Sequence, residues 1–289
     1  MQLWTQRRIF CFGCAILFCS LIACRRATVT QQPTAVNTAA KPAPQPSVCQ
    51  AENLSRSALL QQASANNELR VLFIGNSLTY TNKLPELVAA LAVAAGQKPL
   101  NFQALVGSGF ALEDHWNSDK ARKLIAAGGW QYVVLQQGPS ALPESRKLLL
   151  DYARRFAEEI RRSGARPALY MVWPSRMRLQ DFSGVSESYR LAAQEVDGLL
   201  FPTGEAWQSA WRRDPKMELY LPDGLHPTLA GTYLAALVIY QQLYQPASFD
   251  FSQPLRWRNG KEIKLGLQPE QLKLLQEAAA EANQRFARP

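Results

Sequence analysis

An α/β fold, with a parallel five-stranded sheet sandwiched between two layers of helices, is what the sequence predicts. Three observations lead there. Strand-like and helix-like runs alternate from about residue 69 onward. The first strand-like run is continuously apolar, as in strands buried on both faces, and does not alternate apolar with polar. The helix-like runs carry an apolar stripe on one side only, so each has one face to bury. Strand–helix alternation of this kind implies a parallel sheet covered on both faces.

The elements follow in order. Arg70 to Gly75 is the short buried strand. Leu84 to Ala95 reads as a helix, with Leu84, Leu87, Val88, Leu91 and Ala95 on one face. Pro85 stands in its first turn and Gly96 just past its end, both suited to those places. Leu100 to Val106 is a second strand, and Trp130 to Gln136, holding Tyr132, Val133, Val134 and Leu135, a third. A long amphipathic helix runs from about Pro143 to Ser163, with Leu149, Tyr152, Ala153, Phe156 and Ile160 on its buried stripe and Gly164 as its stop. Pro167 to Trp173 and Leu199 to Thr203 are the fourth and fifth strands. Further helices fall at about 186–197, 204–212, 227–245 and 269–286. There are no internal repeats.

The N-terminal quarter has a different character. Arg7 and Arg8 precede an apolar run from Ile9 to Ala23, a basic region followed by the hydrophobic region of a secretory signal over residues 1–23. Fifteen residues fall short of the ~20 that a spanning helix needs. The run closes on Leu21-Ile22-Ala23-Cys24, which resembles the lipobox of bacterial lipoproteins. That resemblance implies an acylated Cys24 at the mature N-terminus and a location in the bacterial cell envelope, at the outer membrane or the periplasmic face. A plain signal peptide and a short retained anchor are the alternatives. Residues 24–66 read as a linker: Thr28 to Ser47 is rich in Thr, Gln, Pro and Ala and buries too little to offset chain entropy. Residues 67–289 suit one domain with a sizeable core.

Of the five cysteines, Cys11, Cys14 and Cys19 leave with the leader, and an acylated Cys24 leaves Cys49 without a partner. No internal disulfide and no cysteine metal site is expected. The net charge of +9 loses two with Arg7 and Arg8, leaving +7 on the mature chain. Its arginines, such as Arg154, Arg155, Arg161 and Arg162, lie along a helix, and the plain reading is solvated surface. No nucleic-acid motif is present, and no cofactor is expected.

The chemistry concentrates in two distant segments. Ser77 lies just past the first strand, in Phe73-Ile74-Gly75-Asn76-Ser77-Leu78-Thr79. Asp223 and His226 lie three residues apart in Leu221-Pro222-Asp223-Gly224-Leu225-His226-Pro227. A serine hydroxyl needs a base to take its proton, histidine is the usual base, and a carboxylate orients the histidine. With only His115 and His226 in the chain, the choice of base is narrow. Right-handed crossovers set the carboxyl ends of all strands along one edge, where ligands bind in open α/β sheets. Ser77, Gly107, Gln137 and Trp173 follow or close four different strands and converge there. Each segment also has a plain reading. Ser77 suits a helix cap, Asp223-Gly224 a turn, and His226 the residue before a helix that opens at Pro227.

The serine segment resembles the first sequence block of the SGNH (GDSL-type) hydrolases, and Asp223-Gly224-Leu225-His226-Pro227 their last, over residues 69–245. The resemblance implies a three-layer fold and ester hydrolysis through an acyl-serine intermediate, with Ser77 as nucleophile, His226 as base and Asp223 as its orienting acid. It also implies an oxyanion hole from the backbone N–H of Ser77 and a glycine of Val106-Gly107-Ser108-Gly109: Gly107 first, Gly109 as fallback. The third block departs from the family pattern, because Gln136-Gln137-Gly138-Pro139-Ser140 holds no asparagine. It is similar to the Gln-Gly-Glu-Ser block of a related acetylesterase branch, which implies Gln137, with Gln136 as competitor, as the third donor. His115, in Leu112-Glu113-Asp114-His115-Trp116, is either a substrate-binding residue near Gly107 or a packed, hydrogen-bonded helix residue. Trp173 and Trp207 are either a sugar-stacking wall or core.

The resulting expectation is an exported, lipid-anchored serine esterase. Its substrates would be small acyl esters, acetyl groups on carbohydrates among them. The alternatives are a non-catalytic carbohydrate-binding protein on the same fold and an acyltransferase.

Overall fold

The structure, a computed structural model, describes residues 67–246, 248, 251 and 253–286. The expected leader, Cys24, Cys49 and the linker lie outside the described residues.

The elements run β1 (Leu69–Gly75), α1 (Ser77–Tyr80), a 3-10 turn (Thr81–Lys83), α2 (Leu84–Ala94), β2 (Leu100–Val106), α3 (Leu112–Asn117), α4 (Lys120–Ala127) and β3 (Tyr132–Leu135). Then come α5 (Pro143–Arg162), β4 (Arg166–Met171), a second 3-10 turn (Arg176–Asp181), α6 (Phe182–Glu195), β5 (Leu199–Pro202), α7 (Thr203–Arg213), α8 (Leu229–Tyr244) and α9 (Pro269–Phe286). All strands are parallel, in the order β2-β1-β3-β4-β5. The helices α2, α7, α8 and α9 pack together as one layer and α3, α4, α5 and α6 as the other. The expected three-layer α/β/α sandwich is the fold observed.

The sheet owes its position to β1, where Val71, Leu72, Phe73 and Ile74 are fully buried. Truncating Phe73 to alanine is expected to cost about 3–5 kcal/mol. Helix α8 is buried on nearly every side from Ala230 to Tyr240, so it has no polar stripe. The reason is that α2, α7 and α9 pack around it, and a helix apolar all round is an interior helix.

Two differences from the sequence reading have local causes. Helix α6 begins at Phe182, not near 186, because the 3-10 turn runs directly into it. Helix α4 was not expected; only Ala121 and Ile125 of its eight residues are buried, too few to give a stripe.

The chain leaves β1 toward β2 on one side and later returns to β3 on the other, so the strand order reverses between β1 and β3. A crevice opens at the carboxyl ends of strands at such a switch point. Ser77 follows β1 and Gln137 follows β3, and both line the same pocket.

Candidate active site

The serine turn is built on a buried amide. Gln136 is 1% exposed, and its Oε1 accepts from the Asn76 N–H (2.8 Å) and the Thr79 hydroxyl (2.7 Å). Its Nε2 donates to Asn76 Oδ1 (3.0 Å) and to the Gln137 carbonyl (2.6 Å). One side chain from β3's end thereby fixes both flanks of Ser77. Asn76 continues the lattice: its Oδ1 caps α1 by accepting the Leu78 N–H (3.1 Å), and its Nδ2 donates to the Phe110 carbonyl (3.0 Å). Gly75 is required here, because a Cβ would lie 2.4 Å from both Gln136 Oε1 and Thr79 Oγ1. Ser77 opens α1, and its backbone N–H donates to nothing among the described residues. An unbonded N–H in the first turn of a helix is suited to an anionic oxygen.

The second segment organises itself. Asp223 Oδ1 accepts the backbone N–H groups of Leu225 and His226, each at 2.9 Å. Its Oδ2 meets His226 Nδ1 at 2.7 Å. These bonds, the Leu225 N–H foremost and the imidazole next, hold the Asp223 carboxyl down to about 2. An ionised carboxylate only accepts, so Nδ1 carries a proton, and in the neutral ring Nε2 is the nitrogen with the lone pair. The loop is anchored on the β4 side, where Trp173 Nε1 donates to the Leu225 carbonyl (3.0 Å) and the Arg176 N–H to the Gly224 carbonyl (2.7 Å).

A cavity of about 340 Å³ lies between the two segments, with Ser77 and Leu225 both in its wall. Leu78, Phe110, Ala111, Pro139 and Leu148 give it an apolar lining, and no charged side chain contributes. Among the described residues no hydrogen bond joins the Ser77 hydroxyl to the His226 ring.

Several expected site residues have other duties. The Gly107 N–H extends the β2 ladder by donating to the Gly75 carbonyl (3.1 Å), so it is not available to a ligand. Gly109, with φ +70°, lines the pocket, and its N–H is unbonded among the described residues. Gln137 lines the pocket too, but its amide is engaged: Nε2 donates to Ser140 Oγ (3.0 Å) and the Ser145 carbonyl (3.2 Å), and Oε1 accepts the Leu112 N–H (3.2 Å). It therefore offers no N–H to an oxyanion, and its competitor Gln136 is equally committed to the serine turn. His115 is 2% exposed and does not line the pocket; its Nε2 donates to the Gly75 carbonyl (2.8 Å). Burial pushes its pKa below the usual imidazole value, so the ring is held neutral under the turn. Trp173 and Trp207 stack at 3.7 Å and are fully buried, which makes them core and not a sugar-binding wall.

Comparison with solved structures supports the fold. No protein-family model matches the sequence, and no curated protein matches it. Among solved structures, a protein from Slackia heliotrinireducens assigned to the SGNH hydrolases is 27% identical, with a TM-score of 0.51 over 61% of this chain and 100% of its own. A DUF4886 family protein from Bacteroides uniformis superposes with a TM-score of 0.60 at 19% identity, over 74% of this chain and 94% of its own. The lipase/acylhydrolase from Enterococcus faecalis shares the fold, with a TM-score of 0.50 at 14% identity, over 61% of this chain and 95% of its own. The fold is that of a three-layer α/β/α hydrolase. With its serine turn and its Asp–His loop at one sheet edge, the chain is similar in fold to the SGNH (GDSL-type) hydrolases.

Proposed function

We propose that the protein is a serine esterase that hydrolyses neutral acyl esters through an acyl-serine intermediate. The observation that carries this reading is the Asp223–His226 pair, whose 2.7 Å bond leaves Nε2 as a base beside the pocket that holds Ser77. Ser77 Oγ attacks the ester carbonyl as Nε2 takes its proton. The imidazolium, stabilised by Asp223, returns a proton to the departing alkoxide. Water then repeats the sequence on the acyl-enzyme. The Ser77 and Gly109 N–H groups are the donors for the negative oxygen, each effective mainly in the transition state.

The lining supports an uncharged acyl group. A cavity of about 340 Å³ exceeds the needs of an acetyl group, since one water occupies only about 30 Å³ in the liquid. Short and medium acyl chains are therefore proposed alongside acetyl, and carbohydrate esters are one source of them. An envelope location with a lipid anchor at Cys24 is part of the proposal. Replacement of Cys24 by serine is expected to release the protein from the membrane fraction.

A panel of p-nitrophenyl esters from acetyl to decanoyl, assayed on the native chain and Ser77→Ala, tests the activity. Hydrolysis is expected in the native chain, with Ser77→Ala lower by at least about 10⁴, in line with removal of a triad serine elsewhere. Equal rates in the two proteins would remove Ser77 from the reaction.

A further inference from the structure

We infer that Asn82 is a positioning residue that sets the distance between Ser77 and the His226 ring. The inference rests on the serine–histidine reading above and assigns a role to a residue outside both sequence blocks.

The two halves of the site belong to different parts of the fold. The serine turn is tied to β3 through Gln136, while the Asp223–His226 loop is tied to the β4 side through Trp173 and Arg176. Those bonds join the halves only indirectly, through the β3–β4 ladder and the packing of α2 on α8. Asn82 joins them directly. Its Nδ2 donates to the Pro227 carbonyl (2.9 Å), next to His226, and to Thr232 Oγ1 (2.9 Å) in the first turn of α8. Among the described residues these are the only hydrogen bonds between segments 76–83 and 219–232. The amide orientation follows from chemistry: a carbonyl only accepts, so the nitrogen must face Pro227.

The backbone supports the same role. Asn82 (φ 51°) and Lys83 (φ 56°) are consecutive residues in the left-handed region. Asparagine tolerates that region; lysine does so only under strain. This bend delivers the Asn82 amide to the start of α8, only five positions after the nucleophile. The Thr81 hydroxyl donates to the Ser77 carbonyl (2.7 Å), so α1 and the bend move as one unit. A shift of the clasp therefore moves the nucleophile relative to the base, and about 1 Å of misplacement is worth up to about 10²-fold in rate.

Two variants of the full chain separate positioning from folding. Asn82→Gly suits the positive φ but removes the amide. Asn82→Asp keeps size and backbone preference but has no N–H for the Pro227 carbonyl. Both are expected to lower kcat on p-nitrophenyl acetate by about 10–100-fold, with KM within about twofold and the glycine variant melting like the native chain. A second readout does not need turnover. The chain has two histidines, so the His226 ring is readily assigned by ¹⁵N NMR. In the native chain Ser77→Ala is expected to shift the His226 ring signals; in Asn82→Gly the same substitution is expected to leave them unmoved. Native turnover in a folded Asn82→Gly variant, or a Ser77→Ala shift of equal size with and without Asn82, overturns the assignment. So does the lack of any shift in the native chain. If the native chain hydrolyses no ester, the esterase reading falls, while the ring comparison still decides what Asn82 does.

Discussion

The two halves of the site are built on opposite principles. The serine turn is buried and depends on partners far away in sequence: Gln136 reaches back 60 residues to Asn76, and His115 reaches back 40 to the Gly75 carbonyl. The Asp223–His226 loop is exposed and largely self-contained, with the carboxylate binding atoms two and three residues ahead. The difference separates the chemistry from the stability. Changes in the exposed loop alter proton transfer while little burial is lost. Changes beneath the serine disturb the core as well.

The largest effect on rate that bears on this contrast is expected from Asp223→Asn. The asparagine carbonyl can still cap the Leu225 and His226 N–H groups, but its amide nitrogen cannot accept the Nδ1 proton. The imidazole loses its preferred tautomer, and turnover is expected to fall by about 10²–10⁴. Stability should move by no more than about 1 kcal/mol, because the carbonyl keeps both backbone bonds and only the exposed carboxylate–imidazole contact is lost. Stopped-flow rates and a melting curve on the same sample test both halves of the statement.

Gln136→Leu should show the reverse balance in stability. It strands the Asn76 N–H and the Thr79 hydroxyl in a buried place, at about 1–3 kcal/mol each. A domain of this size loses roughly 2–4 °C per kcal/mol, so the melting point is expected to drop by about 4–24 °C. A melting point equal to that of Asp223→Asn would break the comparison.

A smaller effect is expected from Gln137→Ala. Its amide bonds Ser140, Ser145 and Leu112, not a ligand, so turnover should fall less than about tenfold. A drop of about 10²–10³, the value for a true oxyanion donor, would return it to the reacting centre.

The smallest effect concerns acid. Asp223 and Glu281 both have carboxyls held at about 2, Glu281 chiefly by the Ser209 hydroxyl and then by Arg213. Their pKa values are depressed on folding, so the stability they confer is complete above about pH 5 and is lost as pH falls through 2. Chemical denaturation between pH 5 and 2 should show that loss, diminished when Glu281 is replaced by glutamine.

The sequence reading reached the parts of the site that are local. The apolar run ending at Ser77 and the Asp–His spacing need only neighbouring residues to be recognised, and the strand–helix alternation carried the fold. Gly107 was misjudged because the β2 ladder runs one residue beyond the apolar run that marks the strand. Gln137 lines the pocket and Gln136 does not, because successive residues at a strand end point to opposite faces. The commitments of both amides are to residues distant in sequence or in a neighbouring loop, which spacing does not reveal. Asn82 left only a weak trace, an asparagine between two helices, the residue type most at ease with positive φ.

The central claim is that Ser77 is the atom acylated, with His226 as its base. Mass spectrometry after exposure to a p-nitrophenyl phosphonate ester, which traps an activated serine, tests it most directly. One phosphonyl group is expected on Ser77, formed at least about 10²-fold more slowly in His226→Ala, in line with general-base assistance, and absent in Ser77→Ala. Label on another residue, or labelling of Ser77 at the same rate without His226, would contradict it.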